Sequence, residues 1–209
     1  MVETKAISYK YPAGSLIPYP DLSVQTGEAL LILGQSGCGK TTLLHLLGGL
    51  LIPSDGQINI KGQDITRLGA KELDKFRGKH IGFIFQRSHF VQSLTVQENI
   101  ELASYLAGIP QNNAKLKSVA GELGITGLLH KRPAQLSQGE QQRASIARAI
   151  AHQPQVVLAD EPTSSLDDSR AATVATLLQQ LCAQHGAALI TVTHDARLKA
   201  LFKNQVLLS

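Results

Sequence analysis

The run Gly34-Gln35-Ser36-Gly37-Cys38-Gly39-Lys40-Thr41 has the spacing G-x-x-x-x-G-K-[ST]. It falls between an apolar stretch at 29–33 (ALLIL) and a helical pattern at 40–50. A glycine-rich turn of this kind curls the backbone so that successive N–H groups point inward as an anion nest. The helix that follows aims its positive end at the same point. Lys40 adds a full charge for the outer phosphates of a nucleotide. The Thr41 hydroxyl is a hard oxygen ligand suited to Mg²⁺. Cys38 reads as a small filler in the loop.

A second constellation is Asp160-Glu161, two carboxylates at the end of the apolar run 156–159. Such a strand end is where open parallel sheets bind ligands. Taken alone, the pair reads equally well as two solvated loop acids. Beside a phosphate loop, Asp160 is placed to hold Mg²⁺, and Glu161, pointing elsewhere, to polarise a water for in-line attack on a γ-phosphate.

These residues need rigid elements behind them, and the hydrophobic pattern supplies candidates. Strands are expected at 29–33, 56–60, 81–85, 155–159, 188–192 and 206–208, and helices at 40–50, 138–152 and 168–184. Residues 94–129 have helical spacing with breaks at Gly108 and Pro110, and read as a helical insert. Apolar runs alternating with helical patterns indicate an α/β chain with a largely parallel sheet. Ser137 and Glu140 have the S-x-x-E spacing of a capping box at a helix start.

Composition narrows the classes. A chain of 209 residues reads as one domain, and 43% hydrophobic with 17% charged residues is a globular balance. Lys plus Arg number 20 against 16 for Asp plus Glu, a weak and scattered basic excess that does not suggest a nucleic-acid surface. The two cysteines, Cys38 and Cys182, are no disulfide framework and suit a reducing cytosol. The longest apolar candidate, 43–52, is interrupted by His45, Gly48 and Gly49. It falls short of the roughly 18 to 20 residues of a membrane helix. No secretory signal is read at the start.

Taken in order, the motifs resemble the ATP-binding subunit of an ABC transporter over nearly the whole chain. Leu136-Ser137-Gln138-Gly139-Glu140 is similar to the family signature, usually LSGGQ, with Gln138 in place of a glycine. Gln86 resembles the Q-loop glutamine, Ser165-Leu166-Asp167 the D-loop and His194 the switch histidine. Tyr11 resembles the aromatic that stacks on adenine. Tyr9, two residues away, is expected on the opposite face of an extended segment.

The resemblance implies a P-loop NTPase core at 1–90 and 138–209, with a mostly parallel sheet and an N-terminal antiparallel β region. It places a helical subdomain at 91–137. ATP and Mg²⁺ are the implied ligands. The nucleotide contacts would be Tyr11, Gly34, Gln35, Ser36, Gly37, Cys38, Gly39, Lys40, Thr41 and Thr42, with Ser137, Gln138, Gly139, Glu140 and Asp167 facing a nucleotide across a dimer. Thr41, Gln86 and Asp160 would attend the metal, and Glu161, His194, Lys40 and Gln86 the chemistry.

The implied partners are a second copy, arranged head to tail around two ATP molecules, and a membrane permease. The expected location is then cytoplasmic, on the inner face of the membrane. Residues 81–86 (IGFIFQ), Leu94-Thr95, Gln97-Glu98-Asn99 and 64–68 (DITRL) are similar to the branch of lipoprotein-release, macrolide-export and cell-division ATPases. Ser164-Ser165 departs from the Gly-Asn common in that branch. The alternative is a non-transport ATPase of the same family acting on ribosomes or DNA. Such proteins usually carry two ATPase cores or a long coiled-coil insert, and neither is seen in the sequence.

Overall fold

The computed structural model describes every residue except 13, 165–167 and 209, and the backbone only at 168–170. In chain order the strands are β1 (Val2–Lys10), β2 (Leu16–Pro18), β3 (Ser23–Val24), β4 (Ala29–Gly34), β5 (Asp55–Ile60), β6 (Gln63–Asp64), β7 (Ile81–Ile84), β8 (Val156–Asp160), β9 (Ala188–Thr193) and β10 (Asn204–Leu208). The helices are α1 (Lys40–Leu47), α2 (Ala70–His80), α3 (Val96–Leu106), α4 (Asn113–Glu122), α5 (Gln138–Ile150) and α6 (Asp168–Gln184).

Two sheets result. One is antiparallel: β1 pairs with β2, β3 and β5, and β5 with β6. The other is wholly parallel, in the order β10-β4-β9-β8-β7. Its central strands β8 and β9 are buried at every position. That is why they read as continuous apolar runs: a parallel strand covered on both faces has no polar side to alternate with.

The period-two geometry of β4 divides the core. Leu31 and Leu33 join a cluster with residues of α3, α4, α5 and α6. Leu30 and Ile32 face the other way, onto Leu43, Leu44, Leu46 and Leu47 of α1 and Ile58 and Ile60 of β5. The helices α3 and α4 therefore share an apolar cluster with one face of the parallel sheet.

Several expected elements are shorter than the pattern suggested. The helix expected at 40–50 stops at Leu47, because Gly48 caps it and Gly49 turns to φ +64°. A Cβ at Gly48 would collide with the Phe83 ring, so close packing on β7 also requires glycine there. The helix expected at 138–152 ends at Ile150, and the strand at 81–85 ends at Ile84. Helix α2 was not expected at all. None of its residues is fully buried, and only Leu73 and Phe76 pack against the core, a stripe too short for periodicity to detect.

Candidate nucleotide and catalytic site

Four adjacent strands of the parallel sheet deliver the predicted residues from their C-terminal ends. The phosphate loop leaves β4, Asp160 ends β8 with Glu161 just beyond it, Thr193 ends β9 with His194 beyond it, and Gln86 follows β7. Register sets these ends side by side: Leu33 pairs with Thr193, and Asp160 with Val192.

The loop turns through two left-handed glycines, Gly37 at φ +86° and Gly39 at φ +94°, the latter capping α1. A side chain at Gly39 would be strained by that backbone and would also meet the Tyr19 hydroxyl. Tyr19 is buried, and its hydroxyl donates to Gly39 O over 3.2 Å. Burial pushes its pKa up to about 12, so it remains a neutral donor. Nothing in the sequence pattern singled out Tyr19.

Lys40 is 7% exposed, and its ammonium donates to the carbonyls of Gly34 and Gln35 at 2.8 Å each. The loop thus holds its own cation. Thr41 Oγ1 donates to Asp160 Oδ1 at 3.3 Å. Burial raises the pKa of Asp160; the Thr41 bond opposes this, and the neighbouring Glu161 charge adds to it. An oxygen-only pair containing a carboxylate that burial disfavours as an anion suits a hard cation such as Mg²⁺. Among the described residues no cluster of three His, Cys, Asp or Glu side chains could hold a metal. The donor set therefore fits a cation held by few protein ligands and completed by phosphate oxygens and water.

Glu161 lies at φ +48°, an uncommon region for a side chain with a Cβ. The turn is pinned from both sides. Its N–H donates to Val192 O at 2.9 Å, and its carbonyl accepts from the Ser164 N–H and hydroxyl at 3.2 and 3.1 Å. Its carboxylate is held by β9 and the residue after it. Oε2 accepts from the Thr193 hydroxyl at 2.7 Å; Oε1 accepts from the His194 N–H at 3.0 Å and lies 2.8 Å from His194 Nδ1. Thr193 was not among the sequence candidates.

Tyr11, Ser36, Gly37, Gly39, Lys40, Thr41, Thr42, Gln86, Glu161 and His194 line one cleft of about 350 Å³, joined by Ile17. Gly34, Gln35 and Cys38 border the adjoining hollow behind the loop, together with His194. Tyr11 donates to or accepts from Thr42 Oγ1 at 2.5 Å. Tyr9 does not lie on the opposite face from Tyr11: in an extended segment only adjacent residues alternate, and residues two apart point the same way. Strand β1 ends at Lys10, and the two rings meet edge to face with centroids 4.9 Å apart.

Ser137, Gln138, Gly139 and Glu140 do not line that cleft. They open α5, where the capping box forms: the Glu140 carboxylate accepts from the Ser137 N–H and hydroxyl at 2.7 Å each. Those bonds hold the Glu140 pKa below the usual carboxylate range. A Cβ at Gly139 would meet nothing, so the first turn is open to an approaching group. Asp167 and its neighbours Ser165 and Leu166 lie outside the described residues.

The segment after Gln86 is tied to the helices by two further side chains: Asn99, read in the sequence only for its likeness to a branch of the family, and Arg148, which the sequence did not single out. The Asn99 amide accepts from the Val91 N–H at 2.8 Å and donates to the carbonyls of Val91, Leu94 and Thr95. The Arg148 guanidinium donates to the carbonyls of Ser88 and His89 and lies 4.7 Å from the centre of the Phe90 ring.

A phosphate loop, a carboxylate pair and a strand-end histidine converging on one edge of a parallel sheet define a P-loop nucleotide-binding protein. Comparison with known proteins carries this to a family. Residues 19–164 match the family described as ABC transporter. The lipoprotein-releasing system ATP-binding protein LolD of Idiomarina loihiensis is 40% identical over 204 residues, 95% of this chain and 90% of that protein. The bacitracin export ATP-binding protein BceA of Halalkalibacterium halodurans is 47% identical over 177 residues, 84% of this chain and 70% of that protein.

The macrolide export ATP-binding/permease protein MacB of Photorhabdus laumondii is 41% identical over 206 residues. This chain spans only 32% of that relative's length while matching over 96% of its own. Among solved structures, the dimeric ATP-binding cassette MJ0796 in a post-hydrolysis state with ADP and Pi superposes with a TM-score of 0.87 at 32% identity. The match covers 100% of this chain and 94% of that one. The chain belongs to the ABC transporter family.

Proposed function

We propose that the chain is the ATP-binding and ATP-hydrolysing subunit of an export or envelope transporter, working as a head-to-tail dimer on a membrane permease. The observation that carries this reading is the convergence of Lys40, Thr41, Gln86, Glu161 and His194 on one cleft. No helix among the described residues is long and apolar enough to cross a membrane. We assign the membrane step to a permease, a reading that the names of the relatives support, and the location we propose is the cytoplasmic face of the membrane.

ATP phosphates would enter the loop and take over the Lys40 ammonium from the carbonyls of Gly34 and Gln35. Thr41 and Asp160 would hold Mg²⁺, with Gln86 beside them; the cation supplies charge neutralisation on the phosphate oxygens. Tyr11, at the cleft mouth, would meet the base. Glu161 would orient the attacking water, and Lys40 and His194 would face the developing charge. Asp167 and the open first turn of α5, with Ser137, Gln138, Gly139 and Glu140, would complete the site of a second subunit. The dimeric form of MJ0796 supports that arrangement.

For the permease, a groove of about 480 Å³ adjoins the Gln86 segment. Phe85, Leu50 and Leu106 line it, and Leu50 and Leu106 are 41% and 75% exposed. An apolar surface of that kind suits an apolar helix of a partner.

Gel filtration with ATP and Mg²⁺ tests the reading. Glu161→Gln should run as an ATP-dependent dimer with ATP hydrolysis lost, and Lys40→Ala should not bind ATP. A Glu161→Gln protein that stays monomeric, or a Lys40→Ala protein with wild-type ATP affinity, would remove it.

A further inference from the structure

We infer that Thr193 is a positioning residue for Glu161, and that it decides which oxygen of that carboxylate receives the proton of the attacking water. The inference rests on Glu161 being the group that orients the water.

The polarity of the Thr193 hydroxyl is fixed by its surroundings. Its oxygen accepts from the Asp195 N–H at 3.0 Å, and its single proton is directed onto Glu161 Oε2 at 2.7 Å. Thr193 is 0% exposed, so water does not compete for that bond. It also ends β9, which is flanked by β4 and β8 in the middle of the parallel sheet. A hydroxyl carried there moves only if the sheet moves.

The other oxygen is held differently. Oε1 takes the His194 N–H and the ring Nδ1, and the His194 side chain is 62% exposed beyond the strand end. Its ring can rotate away; the Thr193 hydroxyl cannot. When His194 turns towards a γ-phosphate, Oε2 stays anchored and Oε1 becomes free. The water then gives its proton to Oε1 as its oxygen bonds to the γ-phosphorus. The bond from that phosphorus to the bridging oxygen breaks, and its electron pair leaves with ADP. A carboxylate without the Thr193 anchor would rotate about its last torsion, at a φ of +48° that already holds the backbone in a rare conformation.

The test is steady-state ATP hydrolysis by the full chain, with Thr193→Val as the near-isosteric variant lacking the donor. Loss of one hydrogen bond to a charged group should lower kcat about tenfold to a hundredfold. KM for ATP should stay within about twofold, since ground-state binding is untouched. Thr193→Ser, which restores the donor, should recover activity to within about threefold of wild type. Thr193→Cys, a weak donor, should behave as the valine variant does and serves if valine prevents folding.

A Thr193→Val kcat within about threefold of wild type, while Glu161→Gln is inactive, overturns the role of Thr193 alone. A rise in KM at unchanged kcat also overturns it. If Glu161→Gln hydrolyses ATP at the wild-type rate, it is the underlying assignment of Glu161 that fails.

Discussion

Thr41 Oγ1 and Asp160 Oδ1 stand 3.3 Å apart, joining the first turn of α1 to the end of β8 across 119 residues of sequence. The bond brings a hydroxyl to a carboxylate that burial disfavours in its charged form. The raised pKa makes a definite statement about stability. Both states are protonated well below the ordinary value of 3.8, and there is no penalty. As pH rises past that value the unfolded chain releases its proton first, so the fold loses stability until the raised native pKa is passed. At neutral pH the ionised side chain is therefore a cost in the nucleotide-free protein. Asp160→Asn keeps an acceptor for Thr41 and removes the charge. Its Tm without Mg²⁺ and nucleotide should exceed wild type at pH 7, with the gap closing as pH falls. Its Mg²⁺-dependent ATP hydrolysis should be lost. A variant less stable than wild type at pH 7 would refute this account of Asp160.

The capping box of α5 is repeated at α3. There, Glu98 accepts from the Thr95 N–H and hydroxyl at 2.7 and 2.8 Å, matching the 2.7 Å bonds of Glu140 to Ser137. The two caps do the same structural job, but only Ser137 is proposed to meet a nucleotide. Ser137→Ala and Thr95→Ala should each lower Tm by about 2–4 °C. Only Ser137→Ala should abolish the ATP-dependent dimer in gel filtration with Glu161→Gln. Equal loss of dimer in both variants would reduce the signature serine to a helix cap.

Arg148 ties α5 to the segment that follows Gln86. Its guanidinium is largely buried, which holds its pKa below the usual value, and its bonds go to the carbonyls of Ser88 and His89. Arg148→Met keeps the stem and leaves those carbonyls unpaired. The loss should be about 1–3 kcal/mol in global stability. Amide hydrogen exchange should speed up at residues 86–95 before it does in β8 or β9. Unchanged protection of 86–95 would separate Arg148 from the Gln86 segment.

What could be read from the sequence was whatever the chemistry forces into particular residue types. The phosphate loop was legible because its turn needs left-handed glycines at Gly37 and Gly39. The central strands were legible because both faces are buried. The residues that carry the likeness to the lipoprotein-release branch turn out to have local structural work. Asp64 accepts from the Thr66 N–H and pairs with Arg67 at 3.1 Å, Glu98 caps α3, and Asn99 binds the segment behind Gln86. Helix α2 was not legible, since only Leu73 and Phe76 pack against the core, both partly buried, and two positions leave no period. Thr193 was not legible either. A threonine at a strand end is ordinary until β8 and β9 set it against Glu161. The relation of Tyr9 to Tyr11 was misread because residues two apart on an extended chain share a face, so the two rings belong together and not on opposite sides.

The bond between the Tyr11 hydroxyl and Thr42 Oγ1, 2.5 Å long, gives the last prediction. Tyr11 is 43% exposed at the cleft mouth, and its ring is steadied edge-on by Tyr9. Its face is what an adenine would use; its hydroxyl is engaged with the first turn of α1. The two roles separate by substitution. Tyr11→Phe keeps the ring and frees Thr42, so the affinity of a fluorescent adenine nucleotide should stay within about threefold of wild type. Tyr11→Ala removes the ring. At about 1–3 kcal/mol for stacking a base on an aromatic side chain, its affinity should fall by roughly fivefold to more than a hundredfold. Inorganic triphosphate has no base, so its competition for the loop should be the same in both variants and in wild type. Loss of triphosphate binding in Tyr11→Ala would show that the ring shapes the phosphate loop through Thr42. Wild-type nucleotide affinity in that variant would remove Tyr11 from the base site altogether.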